Sequence, residues 1–181
     1  MRGQREYQYG QVMRSLLGVL TLAVWLLGAV APVNAETMTC RTAGWVKVQE
    51  RVPVGDVEDH ELGVTFRVGM AFFDNGEIAN FTAVSSWNSP PTSTEALGYA
   101  VWNFVDGSTI VTKFQQSNVS STDPNYGSDG QATGEILSGT GRFAGITGSV
   151  SFTAKNLKRI KGEPGGRSTT EQTFTYTLPA K

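Results

Sequence analysis

The stretch Leu62–Phe73, LGVTFRVGMAFF, decides the fold. Its even positions are Leu62, Val64, Phe66, Val68, Met70 and Phe72, and its odd positions are Gly63, Thr65, Arg67, Gly69, Ala71 and Phe73. Large apolar side chains alternate with mostly small or polar ones. A strand satisfies that period of two and a helix does not. The large set is expected to pack inward, which leaves Arg67 facing solvent. In the converse orientation the small set lines a cavity, and Arg67 and Thr65 point into it, where a guanidinium can bind an anion or carboxylate head.

The same period recurs on either side. Val150, Phe152 and Ala154 alternate with Ser149, Ser151, Thr153 and Lys155, and Phe174, Tyr176 and Leu178 alternate with Thr173, Thr175 and Thr177. In 44–52, Val46, Val48 and Val52 are expected on one face. Asn75-Gly76 and Asp106-Gly107 sit between such runs and accept the positive φ of tight hairpins. Eight strands are predicted, at 43–52, 62–73, 77–87, 97–105, 109–117, 131–138, 147–155 and 168–178. The polar stretches 88–95 and 117–130 read as loops at the rim. This is an all-β pattern. Short turns suit an up-and-down barrel or a sandwich, and eight antiparallel strands suit a closed barrel, which has no exposed edges.

Two domains of sequence are expected. Residues 1–35 read as a signal peptide: Arg14 precedes the uncharged run Leu16–Val33, and Val33-Asn34-Ala35 offers small residues for cleavage after Ala35. Met13 is an alternative start. Residues 36–181 then form a single β-barrel domain, secreted or periplasmic, with no stable membrane insertion once the signal is removed. Those 146 residues hold nineteen threonines, seventeen glycines and only five leucines, a composition for strands and turns rather than for a helix bundle. They carry 12 basic and 15 acidic side chains, so no basic stripe is available for nucleic acid.

Cys40 is the single cysteine and His60 the single histidine, so neither an internal disulfide nor a zinc set can be built, and no metal is expected. Gly139-x-Gly141-x-x-x-Gly145 is followed by an alternating run rather than a helix. It therefore reads as a glycine-lined turn and not as a dinucleotide site, and no cofactor is expected. The densest polar cluster is Asp56–Glu61. Glu58 and His60 are candidates for proton transfer or cation binding if the stretch is extended, and otherwise form a solvated connection between strands. Glu77, after the Asn-Gly turn, is a candidate partner for Arg67 across the hairpin. Phe66, Phe72, Tyr99, Trp102, Phe104 and Phe152 are the candidates to line a ligand cavity.

Four segments carry a resemblance. VPVGDVEDHELG (52–63), GMAFFDNGE (69–77), GTGRFAGITGSVSFT (139–153) and FTYTLP (174–179) resemble the secreted bacterial branch of the allene-oxide-cyclase-like barrels, whose superfamily fold plant dirigent proteins share. The resemblance implies an eight-stranded antiparallel, calycin-like barrel with a central cavity. It also implies relatives that steer ring closure or coupling of an apolar molecule and often form oligomers. No catalytic residue carries over. The expected function is a non-catalytic binder of an apolar small molecule. The alternatives are an isomerase or cyclase of the allene-oxide-cyclase or dirigent type, and a self-associating envelope module that forms a homo-oligomer.

Overall fold

The computed structural model describes residues 35–162 and 165–180. The signal-peptide reading of 1–35 falls, but for Ala35, outside them. The described chain is all-β. Its strands are β1 (Glu36–Pro53), β2 (Glu61–Phe73), β3 (Ile78–Ser89), β4 (Ser93–Phe104), β5 (Thr109–Ser120), β6 (Tyr126–Thr140), β7 (Thr147–Leu157) and β8 (Arg167–Thr177). Each strand pairs antiparallel with the next, and β8 pairs with β1 to close the barrel. A 3-10 turn at Gly141–Phe143 joins β6 to β7.

Several strands run further than expected. β1 starts at Glu36, because Thr37, Thr39 and Arg41 pair with Thr175, Thr173 and Glu171 of β8. β4 begins at Ser93 and β6 at Tyr126, so 93–95 and 126–130, expected as loop, are ladder. The added positions are polar because strand ends in a barrel face solvent or the open lumen, and a threonine-rich segment fits a pleated surface without being apolar.

The face assignment of β2 is the main correction. Ala71 and Phe73 are buried, whereas Leu62, Val64, Met70 and Phe72 are exposed. The small set Gly63, Thr65, Arg67, Gly69 and Ala71 faces the lumen and the large set faces outward. The interior of an eight-stranded barrel is just wide enough to be filled by side chains or to hold one small ligand, and here bulky residues from neighbouring strands take up much of that width, so above Phe73 β2 contributes small ones. Gly69 shows the constraint: a Cβ there would stand 2.3 Å from the Ala43 carbonyl oxygen and 2.5 Å from the Phe81 ring. β1 corrects a second expectation. A register shift between Val46 and Val48 is a bulge at Lys47. It leaves Val46 inside and turns Val48 and Val52 out.

The lower half of the interior is packed solid. Phe73, Phe104, Phe143 and Phe174 meet Trp102, Phe81 and Tyr176 in a run of ring contacts 4.9–6.4 Å apart. The glycine-lined turn closes this end. Gly141, at φ +59, lies where a Cβ would meet Ser108 Oγ at 2.4 Å, and the turn drops Phe143 and Ile146 into the core. Arg142 lies over the Phe104 and Phe143 rings and pairs with Glu77 at 2.5 Å and Asp106 at 3.3 Å. The motif serves as a plug.

Candidate functional site

Above the aromatic base the inward positions shrink. Thr65, Ala83, Ala96, Ala100, Ala154 and Ser168 line the wall, and their missing volume leaves a cavity of about 540 Å³. That size suits a small organic ligand. The cavity opens at the end of the barrel where the loops 54–60, 90–92 and 121–125 and the described connecting residues 158–162 and 165–166 lie.

Three aromatic rings lie flat against glycines in the wall. Trp87 covers Gly63, Phe81 covers Gly69, and Phe114 covers Gly98, at distances no Cβ would permit. Trp87 Nε1 donates to Thr65 Oγ1 at 3.0 Å, and Trp102 Nε1 to Thr112 Oγ1 at 3.3 Å. Both indoles therefore present a satisfied, rigid apolar surface to the lumen. Opposite them is an amide cluster: Gln116 Nε2 donates to Asn118 Oδ1 at 2.7 Å, and Asn156 Nδ2 donates to Ser128 Oγ at 3.0 Å and to Asn118 Oδ1 at 3.3 Å. Gln172 donates through Nε2 to Thr170 Oγ1 at 3.0 Å, while its Oε1 is buried without a partner.

Among the described residues Arg67 is the one ionisable group deep in the lumen. Its side chain crosses the inner face of β1 at Gly44, where a Cβ would lie 3.6 Å from Arg67 Cδ, and Nη1 donates to Ser168 Oγ on β8. Burial pulls the guanidinium below its ordinary value, yet arginine keeps its proton in proteins. No carboxylate among the described residues pairs with it. At the mouth, Arg51 stands 3.4 Å from Glu61, and Arg159 Nη2 donates to Gln49 Oε1 at 2.5 Å. Among the described residues the lining thus holds four basic side chains, Arg51, Arg67, Lys158 and Arg159, against the single carboxylate of Glu61. The chain as a whole carries a net charge of −1, so the cavity is electropositive against that background and draws anions.

The structure separates the residues singled out in the sequence. Trp102 and Phe152 line the cavity. Phe104 lies below it in the packed base. Phe66, Phe72 and Tyr99 project from the outer wall, on the opposite face from their neighbours Arg67, Phe73 and Ala100, which corrects their place among the cavity candidates. Glu77 does not meet Arg67. It accepts from Asn75 Nδ2 at 2.9 Å and pairs with Arg142 at the opposite end of the barrel, because the hairpin carrying it lies at the plugged end.

Glu58 and His60 do not combine. The connection 54–60 is folded rather than extended, with Asp59 at φ 61, and Glu58 is exposed on it. His60 bridges instead: Nδ1 is 2.7 Å from Asp56 Oδ1 and Nε2 is 2.7 Å from Asn88 Oδ1. With two oxygen partners both ring nitrogens are best satisfied as donors. The bond to Asn88 first, and that to Asp56 second, raise the His60 pKa. This histidine fastens the connection to β3 outside the lumen. Among the described residues no three His, Cys, Asp or Glu come together as a metal site. Cys40 is buried in the wall, and burial followed by the charge of Asp74 pushes its thiol up to about 12, which leaves it unreactive.

Sequence reasoning missed Phe114, Gln116, Asn118 and Gln172 as lining residues. Phase was the missing signal: Phe114, Gln116 and Asn118 share the inward parity of Ile110 and Thr112 on β5, and Gln172 shares that of Ser168 and Thr170 on β8.

The fold and its lumen define a class: an up-and-down eight-stranded barrel with one solid end and one hollow, electropositive end. No family model matches the chain, and no curated protein matches it. Among solved structures it is similar to two pterocarpan synthase dirigent proteins. GePTS1 is 13% identical over 83% of this chain and 90% of that one, at a TM-score of 0.46. PsPTS1 is 15% identical over 81% of this chain and 99% of that one, at 0.45.

Proposed function

We propose that this protein is an exported barrel that holds a small, largely apolar molecule in its open half without transforming it. The carrying observation is the half-empty interior: about 540 Å³ above a packed base, walled by Trp87, Trp102, Phe81, Phe114 and Phe152. A cyclase or coupling role in the same lumen needs a free acid or base beside the ligand. Among the described residues the only lining carboxylate, Glu61, sits at the mouth against Arg51, which favours holding over turnover. Export is supported by the uncharged run Leu16–Val33 ahead of Ala35. N-terminal sequencing of the protein recovered from its host tests it, and a mature chain beginning at Glu36 is the expected result.

The binding test uses the neutral fluorophore N-phenyl-1-naphthylamine. It is expected to gain emission on mixing and to quench tryptophan emission at one equivalent per barrel. Trp102→Phe with Trp87→Phe removes the quenching and retains binding. No enhancement, together with native mass spectra showing only the bare chain, counts against a binding role.

A second reading, self-association, is favoured by the outer wall. Val48, Phe66, Val84 and Tyr99 stand in one register row across β1 to β4, with Leu62, Val64, Met70, Phe72 and Leu97 exposed around them. The row continues on β5 and β6 into the ion pair Lys113–Glu135 at 3.5 Å, and the wall there turns polar. An apolar field concentrated on β1 to β4 fits a second copy of this chain. Sedimentation is expected to show a multimer at micromolar concentration that Phe66→Glu dissociates. A wild-type monomer at the highest soluble concentration refutes it.

A further inference from the structure

We infer that the lumen selects an apolar-bodied carboxylic acid, with Arg67 as the group that takes its carboxylate. This rests on the binding role proposed above and adds the chemistry of the ligand's head.

The argument starts from the cost of placing a guanidinium inside a barrel. Removing a charge from water without a counter-charge is expensive, and buried charges in folded proteins are paired as a rule. Arg67 breaks the rule. Its register neighbours across the sheet are Val46 on β1 and Ala83 on β3, which offer no side-chain acceptor. Among the described residues Ser168 Oγ is its only hydrogen-bond partner. A guanidinium has five N–H donors in a planar fork, so four remain without a protein acceptor, on a side chain that lines the cavity.

The wall is shaped to keep that fork available. Gly44 on β1 leaves room for the Arg67 stem to lie flat, since a Cβ there would press on Phe81 at 2.9 Å and approach Arg67 Cδ at 3.6 Å. Ser168 then holds one edge of the guanidinium. The other edge is of the kind that a carboxylate meets with two parallel hydrogen bonds. Apolar surface begins directly beside it, at Phe81, Val46 and Trp102, so the head must be followed at once by a hydrocarbon or aromatic body. A monoanion fits better than a phosphate, because one positive charge faces it at depth. Arg51, Lys158 and Arg159 line the route in and raise the local concentration of such an anion before it reaches Arg67.

The test compares 2-naphthoate with 2-naphthamide, probes of one shape that differ in charge, by calorimetry on the barrel and on its Arg67→Gln and Arg67→Lys variants at pH 7. Wild type is expected to bind the acid about 10- to 100-fold more tightly than the amide, the range of a charge-assisted pair. Arg67→Gln should drop the acid to the level of the amide and leave amide affinity within about threefold, which also shows that the variant is folded and its lumen intact. Arg67→Lys should recover part of the preference, since the charge returns without the fork. Equal binding of both probes by wild type, or an acid preference that survives Arg67→Gln and disappears in Arg159→Gln, overturns the assignment while the binding role stands. Failure of both probes to bind overturns the two together.

Discussion

Phe72 and Phe73 are adjacent, chemically identical and assigned to opposite sides of one sheet, so truncating each in turn tests the inverted face of β2. Phe73 is 5% exposed and contacts the Phe104 and Phe174 rings at 5.2 and 6.1 Å. Replacing it with alanine removes a buried ring and leaves a void that the rigid base cannot collapse into, a loss of about 3–5 kcal/mol. Phe72 is 46% exposed. Roughly half of a full phenylalanine burial is at stake there, and the ring leaves no internal void, so Phe72→Ala should cost about 1 kcal/mol. In a domain of this size that contrast corresponds to a fall in Tm of roughly 10–15 °C against roughly 3 °C. Urea titration followed by far-ultraviolet circular dichroism measures both. It should be run at a concentration where sedimentation shows a monomer, so that the outer ring is not covered by another copy. Equal losses, or a larger loss at Phe72, would refute the orientation of the strand. The placement of Arg67 in the lumen would fall with it, because all odd positions of 63–73 move together.

Two further perturbations separate parts of the design. His60 has a raised pKa through Asn88 and Asp56, so its contribution is fully present below the unfolded-state value of about 6.5 and fades as pH climbs through the higher folded value. Amide protection factors in 54–60, with the intrinsic base catalysis of exchange divided out, should fall over that window in wild type and stay level in His60→Gln, and wild-type protection unchanged from pH 6 to 9 would count against the bridge. A Cβ at Gly98 would meet the Phe114 ring first, at 2.4 Å, so in Gly98→Ala the ring must swing into the lumen. Binding of N-phenyl-1-naphthylamine should weaken at least several-fold while Tm moves little, and unaltered affinity would show that Phe114 does not bound the pocket.

Alternation in Leu62–Phe73, Val150–Lys155 and Thr173–Leu178 was enough to expose the strands, their number and their closure. It was not enough to orient them. Period two says that two faces differ, and which one is interior depends on how much volume the opposing strands supply. Phe81, Trp102, Phe114 and Phe174 supply it here, so β2 turns Gly63, Thr65 and Gly69 inward. Arg67 lay on that small face as a visible hint, since a guanidinium among glycines and alanines suits a lumen more than a surface. The amide cluster of Gln116, Asn118 and Asn156 was illegible for a different reason. Polar residues at strand ends look like loop, and only the register of β5 against β6 and β7 brings the three together.

The barrel divides its labour along its axis. Cohesion resides in the aromatic floor and its arginine-topped stopper, while the vestibule above is contoured by residues that contribute little to holding the sheet shut. Tryptophan and phenylalanine recline on bare stretches of backbone there, so a methyl group added beneath any of them re-tailors the chamber from behind. Such a scaffold can acquire a new guest by drift in its upper storey, with its foundation left untouched.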